Sequence, residues 1–122
     1  MPHSPVILAV DHNPHNLELL AQFLGNQGIA TRCIVTIEEF DAALGESAPV
    51  GLALVDISGF DRSIWERCER LRDRGIPLLV LSPRHSAALQ RESLAHGARG
   101  VLVKPLATRE LLGLLRNLMN ET

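Results

Sequence analysis

Val50-Gly51-Leu52-Ala53-Leu54-Val55-Asp56 is a run of apolar residues that stops on a carboxylate. It has no polar alternation, so it reads as a strand covered on both faces, with the acid marking its C-terminal end. Other runs behave alike. Val6-Ile7-Leu8-Ala9-Val10 ends at Asp11, Ile76-Pro77-Leu78-Leu79-Val80-Leu81 delivers Ser82, and Val101-Leu102-Val103 ends at Lys104. Pro77 stands at the start of its run, where a missing N–H does least harm. Residues 29–35 form a more polar strand, expected at a sheet edge.

Segments of helical period lie between these strands. Asn13-Pro14 reads as an N-cap followed by proline at the first helical position, and Leu17, Leu20, Ala21 and Leu24 form a stripe that closes near Gly25 or Gly28. Thr36 is expected to cap a helix carrying Phe40, Ala43 and Leu44. A charged helix over about 61–74 places Ile64, Trp65, Cys68 and Leu71 on one face and ends at Gly75, with Trp65 read as a packing residue. Another runs over about 86–96 and closes at Gly97. The last begins near Ala107 or Thr108 and presents Leu111, Leu112, Leu115, Leu118 and Met119. Strands alternating with helices of this length imply parallel pairing through right-handed crossovers. The expected fold is therefore α/β, a flavodoxin-like doubly wound sheet of five parallel strands in the order 2-1-3-4-5 with five helices.

A chain of 122 residues supports one hydrophobic core, so a single domain over 1–122 is expected, its core spanning about 5–119. Only Asn120-Glu121-Thr122 follow the last helix, so no output domain is expected within the chain. No apolar run approaches the ~20 residues needed to span a bilayer, and Met1-Pro2-His3-Ser4-Pro5 lacks the charged start of a signal peptide. A cytoplasmic protein without a membrane partner is the expectation. Cys33 and Cys68 lie in unlike surroundings and read as reduced thiols. The formal charge is −2 and the basic residues are interspersed with acids, as in Glu66-Arg67-Cys68-Glu69-Arg70, which makes no basic stripe for nucleic acid.

The polar residues that end the strands matter most. In the strand order above, the ligand crevice opens between the first and third strands, where Asp11 and Asp56 would face each other. Two close carboxylates repel unless a cation separates them, and a hard, oxygen-seeking ion such as Mg²⁺ is the natural partner. Lys104 adds positive charge and Ser82 a hydroxyl. Such a set suits phosphoryl transfer with a carboxylate as nucleophile. His15, His85 and His96 have no evident partners in the sequence and are expected in exposed polar roles.

These residues give the chain a specific likeness. Ile7-Leu8-Ala9-Val10-Asp11-His12-Asn13-Pro14 with Leu19-Leu20, then Leu54-Val55-Asp56, Leu81-Ser82, and the stretch from Gly97-Ala98 through Lys104-Pro105-Leu106 resemble the receiver domain of bacterial response regulators over essentially the whole chain. The resemblance implies Asp56 as phosphoacceptor, Asp11 in the acidic pocket, Ser82 as switch hydroxyl and Lys104 as phosphate contact, with Mg²⁺ held by Asp11, Asp56 and the Ser58 carbonyl. It also implies a commonly cis Lys104-Pro105 bond, a sensor histidine kinase or phosphotransfer protein as donor, and a switching face on the fourth helix, fifth strand and fifth helix that could pair two copies.

Three positions depart from the family pattern. His12 stands where a second acid is usual, and losing a carboxylate ~4 Å from a divalent ion forfeits several kcal/mol of attraction at an effective dielectric near 20. The loop Ile57-Ser58-Gly59-Phe60-Asp61 reads as shortened, and Val101 replaces the aromatic residue that couples to Ser82. A degenerate receiver working as a phosphorylation-independent interaction or dimerisation module is the alternative these departures raise. A flavin binder or metal-dependent phosphatase is a weaker reading, since no glycine-rich phosphate loop follows the first strand and no paired Asp-x-Asp motif places a nucleophile there.

Overall fold

Period-two alternation along buried strands sends successive side chains to opposite faces, and each face then needs its own cover of helices. The computed structural model describes residues 6–46 and 49–119, the side chain of Met119 excepted. The expected role of Met119 in the last apolar stripe and the reading of the first five residues fall outside that description. The elements are β1 (Val6–Val10), α1 (Pro14–Asn26), β2 (Thr31–Ile34), α2 (Ile37–Leu44), β3 (Val50–Asp56), α3 (Ile64–Asp73), β4 (Leu78–Ser82), α4 (Ala87–Ala95), β5 (Gly100–Val103) and α5 (Thr108–Met119). All strands pair in parallel, in the order β2-β1-β3-β4-β5. The expected architecture is the one found, with β2 at an edge.

Two cores result. On one face Leu8, Val10, Ala53, Val55, Leu78 and Val80 meet α2, α3 and α4. On the other Ile7, Leu52, Leu54, Leu79 and Leu81 meet α1 and α5, the latter through Leu111 and Leu115. Val101 packs partly buried against the first core and Leu102 against the second.

Helix starts follow local capping chemistry. Asn13 accepts from the His15 N–H at 3.0 Å, Thr36 and Glu39 form a reciprocal capping box, and Ser86 accepts from the Leu89 N–H at 3.2 Å. One boundary differs from the sequence reading. Residues 61–63 form a turn in which the Asp61 carboxylate accepts from the Ser63 N–H at 2.9 Å, so α3 starts at Ile64 rather than 61. A carboxylate that captures the backbone two residues on favours the turn over a first helical turn.

The helices are not anchored equally. Helix α3 buries Ile64, Trp65, Cys68 and Leu71 against the sheet, whereas the buried residue of α4 is Ser93. On its outer side α3 is tied to α2 by Arg67, whose guanidinium donates twice to Asp41 at 2.9 Å, while Arg74 donates to the carbonyls of Leu44 and Glu46 at the end of α2. The Asp41 carboxyl is held below its usual range chiefly by that Arg67 hydrogen bond.

Candidate functional site

Alternation also aims the residues at the strand ends. Asp56 continues the Leu52, Leu54 side of β3, whereas Ser82 continues the Leu78, Val80 side of β4. Asp11 lies one residue beyond β1 and Lys104 one residue beyond β5. Asp11, Asp56 and Ser82 are buried, at 6%, 3% and 5% exposure. The adjacent pairing of β1 with β3 brings Asp11 and Asp56 to one rim, as expected.

Lys104 lies between the two acids. Its ammonium donates to Asp11 Oδ2 at 3.0 Å and makes a closer contact with Asp56 Oδ2. The other oxygens have donors too: Asp11 Oδ1 accepts from the Asn13 N–H at 2.9 Å, Asp56 Oδ1 from the Ser58 N–H at 2.9 Å, and Asp11 Oδ2 also from the Asn16 amide at 3.3 Å. Two buried carboxylates thereby share a single fixed counter-charge. Partial burial acts to lower the Lys104 pKa, but the hydrogen bonds and charges of Asp56 and Asp11 outweigh it and raise it above 10.5. A raised folded value means the pairing stabilises the fold fully below 10.5 and loses that contribution only as pH climbs through the folded value. Throughout the neutral range the lysine is a permanent cation.

Ser82 is at the same rim but differently engaged. Its hydroxyl donates to the Arg84 carbonyl at 2.9 Å and accepts from the Arg84 N–H at 3.2 Å, so it folds the β4–α4 loop onto itself. His12 is exposed. Its ring meets Phe60 edge-on at a centroid distance of 6.4 Å and covers Gly59, where an added Cβ would lie 2.7 Å from Nδ1. Gly59 has φ +84°, a left-handed conformation that suits glycine. Among the described residues no three His, Cys, Asp or Glu side chains converge as a metal-binding group. The two carboxylates are hard oxygen donors, the type that Mg²⁺ takes.

Beside the acids a cavity of about 620 Å³ opens between α1 and α5, walled by Leu17, Leu20, Phe23, Leu54, Leu81 and Leu111 and bordered by Asp11 and Lys104. Leu19 on α1 lines it too and is 53% exposed. The Lys104-Pro105 peptide at its edge is cis. The sequence reading did not name Asn13 and Asn16 as supports of Asp11, though an aspartate that ends a strand is itself a signal, since its carboxylate can accept from the backbone N–H two residues on.

Comparison with known proteins places this arrangement. Residues 7–116 match the model of the response regulator receiver domain family. The transcriptional regulatory protein AruR of Pseudomonas aeruginosa is 33% identical over 121 residues, covering 94% of this chain and 49% of AruR. The chain therefore spans about half the length of that curated relative. A receiver domain protein described as CheY-like from Methanospirillum hungatei superposes with a TM-score of 0.85 at 26% identity, covering 98% of this chain and 96% of that one. A Burkholderia pseudomallei response regulator, solved with a phosphorylated aspartic acid, a calcium ion and citrate, gives 0.80 at 25% identity over 97% of this chain and 70% of that one.

Proposed function

This chain belongs to the response regulator receiver domain family of two-component signalling, and we propose that Asp56 is the residue on which it accepts a phosphoryl group. The donor is a sensor histidine kinase or a phosphotransfer protein. The observation that carries the reading is the ammonium of Lys104 shared by Asp11 and Asp56, both buried. A carboxylate oxygen of Asp56 bonds to phosphorus as the P–N bond of a phosphohistidine breaks, and the departing imidazole takes up a proton. The acyl group then carries a phosphoryl with about two negative charges where the carboxylate carried one. Lys104 is the fixed cation beside it.

Asp11, Asp56 and the Ser58 carbonyl would hold Mg²⁺, which supplies positive charge against the phosphoryl oxygens. His12 contributes no negative charge in its neutral form, so metal binding is expected to be weak. For Ser82 to reach the phosphoryl group its hydroxyl must leave the Arg84 carbonyl, which releases the β4–α4 loop. That release is the proposed first move toward the face formed by α4, β5 and α5, through which two copies could pair. Val101 lies partly buried in the core and has no ring to swing, so the coupling runs through the loop. The apolar cavity beside Asp11 supports docking of the donor protein against α1 and the start of α5. The role is that of a signalling domain in the cytoplasm, working as one unit with no direct nucleic-acid contact. No described helix is long and apolar enough to cross a membrane.

Incubation with acetyl phosphate or beryllofluoride and Mg²⁺, read by intact mass and NMR, tests the assignment. The native chain gains one phosphoryl group, or shifts its active-site resonances, and Asp56→Asn does neither. An unmodified, unshifted native chain at millimolar magnesium sinks the reading. His12→Asp is expected to tighten metal binding.

A further inference from the structure

Helix α4 lacks the anchor that an amphipathic helix normally has. Ser93 is fully buried beneath it, and the hydroxyl of that serine has no hydrogen-bond partner. Leu89 is partly buried and Leu94 is 48% exposed, so little apolar area holds the helix down. What α4 does have is a set of polar ties to α3. Arg62, just before α3, donates to Glu92 at 2.5 Å. One turn further on, at the C-terminal cap of α4, the His96 ring pairs through Nδ1 with Glu69 at 2.5 Å and stacks on Trp65, with centroids 5.0 Å apart and planes 18° from parallel. The next residue, Gly97, has φ +101° and lies under the stem of Arg72, where a Cβ would approach Cδ to 2.7 Å. The expectation that His96 is an unpartnered surface residue is therefore corrected: a contact between α3 and α4 supplies its partners.

We propose that α4 is held in its resting position by this polar clamp, that His96 closes it on Glu69 and Trp65, and that opening the clamp frees α4 from the fold. Imidazole is the side chain whose charge changes between about pH 5 and 8. As imidazolium, His96 gains both the attraction of Glu69 and the face of the Trp65 ring. The groups facing it from α3 are Glu69, Trp65 and Arg72, whose guanidinium is turned to Asp73. On its own helix, Glu92 is taken by Arg62. Protonation thus tightens the clamp and deprotonation loosens it. His96 acts on α4 alone, as a positioning residue.

Residue-resolved amide exchange of the phosphodonor-free chain tests this at about pH 6 and about pH 8, corrected for intrinsic rates. With Glu69→Gln, the amides of residues 90–96 are expected to exchange about two- to fivefold faster at the lower pH, the range of a partly exposed ion pair, while those of α3 and α5 are unchanged. Raising the pH should do the same to the native chain and nothing further to the variant. His96→Gln should match Glu69→Gln and also alter the emission of Trp65. Exchange in α4 that ignores both variants and pH, or that rises equally in α3 and α4, overturns the clamp. Since no phosphodonor is present, neither result bears on Asp56.

Discussion

Helices α3 and α4 lie side by side on one face of the sheet, but different physics attaches them. Helix α3 inserts Ile64, Cys68 and Leu71 into the core, whereas α4 offers Ser93 and relies on ion pairs and a ring stack along its C-terminal half. Apolar burial is non-directional and hard to switch off; a charge pair can be undone by a proton, salt or a competing group. The contrast assigns α3 to the frame and α4 to the movable part.

The largest expected effect concerns Cys68. Burial pushes its thiol up to about 12, with Glu69 adding to the rise. At pH 7 that leaves about one thiolate in 10⁵, so alkylation of the native chain should reach the exposed Cys33 and leave Cys68 untouched until the domain unfolds. Rapid native labelling of Cys68 would mean that α3 is as loose as α4. Next, Leu71→Ala should cost about 2–5 kcal/mol in urea unfolding, and Leu89→Ala in α4 less than about 2. Equal losses would erase the distinction.

A smaller effect separates the helices at Ser93. Removing an unpartnered buried hydroxyl is expected to leave stability unchanged or raise it by up to about 1 kcal/mol in Ser93→Ala, measured by thermal unfolding. The smallest lies on the outer side of α3. Because the folded Asp41 carboxyl is depressed below 3.8, its contribution is present above that value and is lost as pH falls through the folded one. Asp41→Asn should remove this acid-side dependence, with a change under about 1 kcal/mol for so exposed a pair.

The frame was largely legible in the chain. Buried parallel strands announce themselves as unbroken apolar runs, and Asp11, Asp56 and Lys104 stand out because polar groups end those runs. Their convergence follows from strand order. What stayed hidden depends on side-chain direction or on distant partners. Position groups Ser82 with the acids, yet its hydroxyl is held by the Arg84 backbone two residues on, a local turn that competes with the site for the same hydroxyl. The partner of His96 lies 27 residues earlier, on another helix, and no local pattern encodes that pairing. The start of α3 was misplaced because Asp61 serves a turn as readily as a helix.

Gly59 makes residues 12 and 59 an epistatic pair. A side chain at 59 has to evict the His12 ring and also adopt φ +84°, so two separate penalties act on one substitution. Shortening residue 12 to an aspartate lifts the first and leaves the second. Anyone rebuilding this acidic site can therefore exchange residue 12 without meeting a side chain at 59, while the glycine facing it stays fixed.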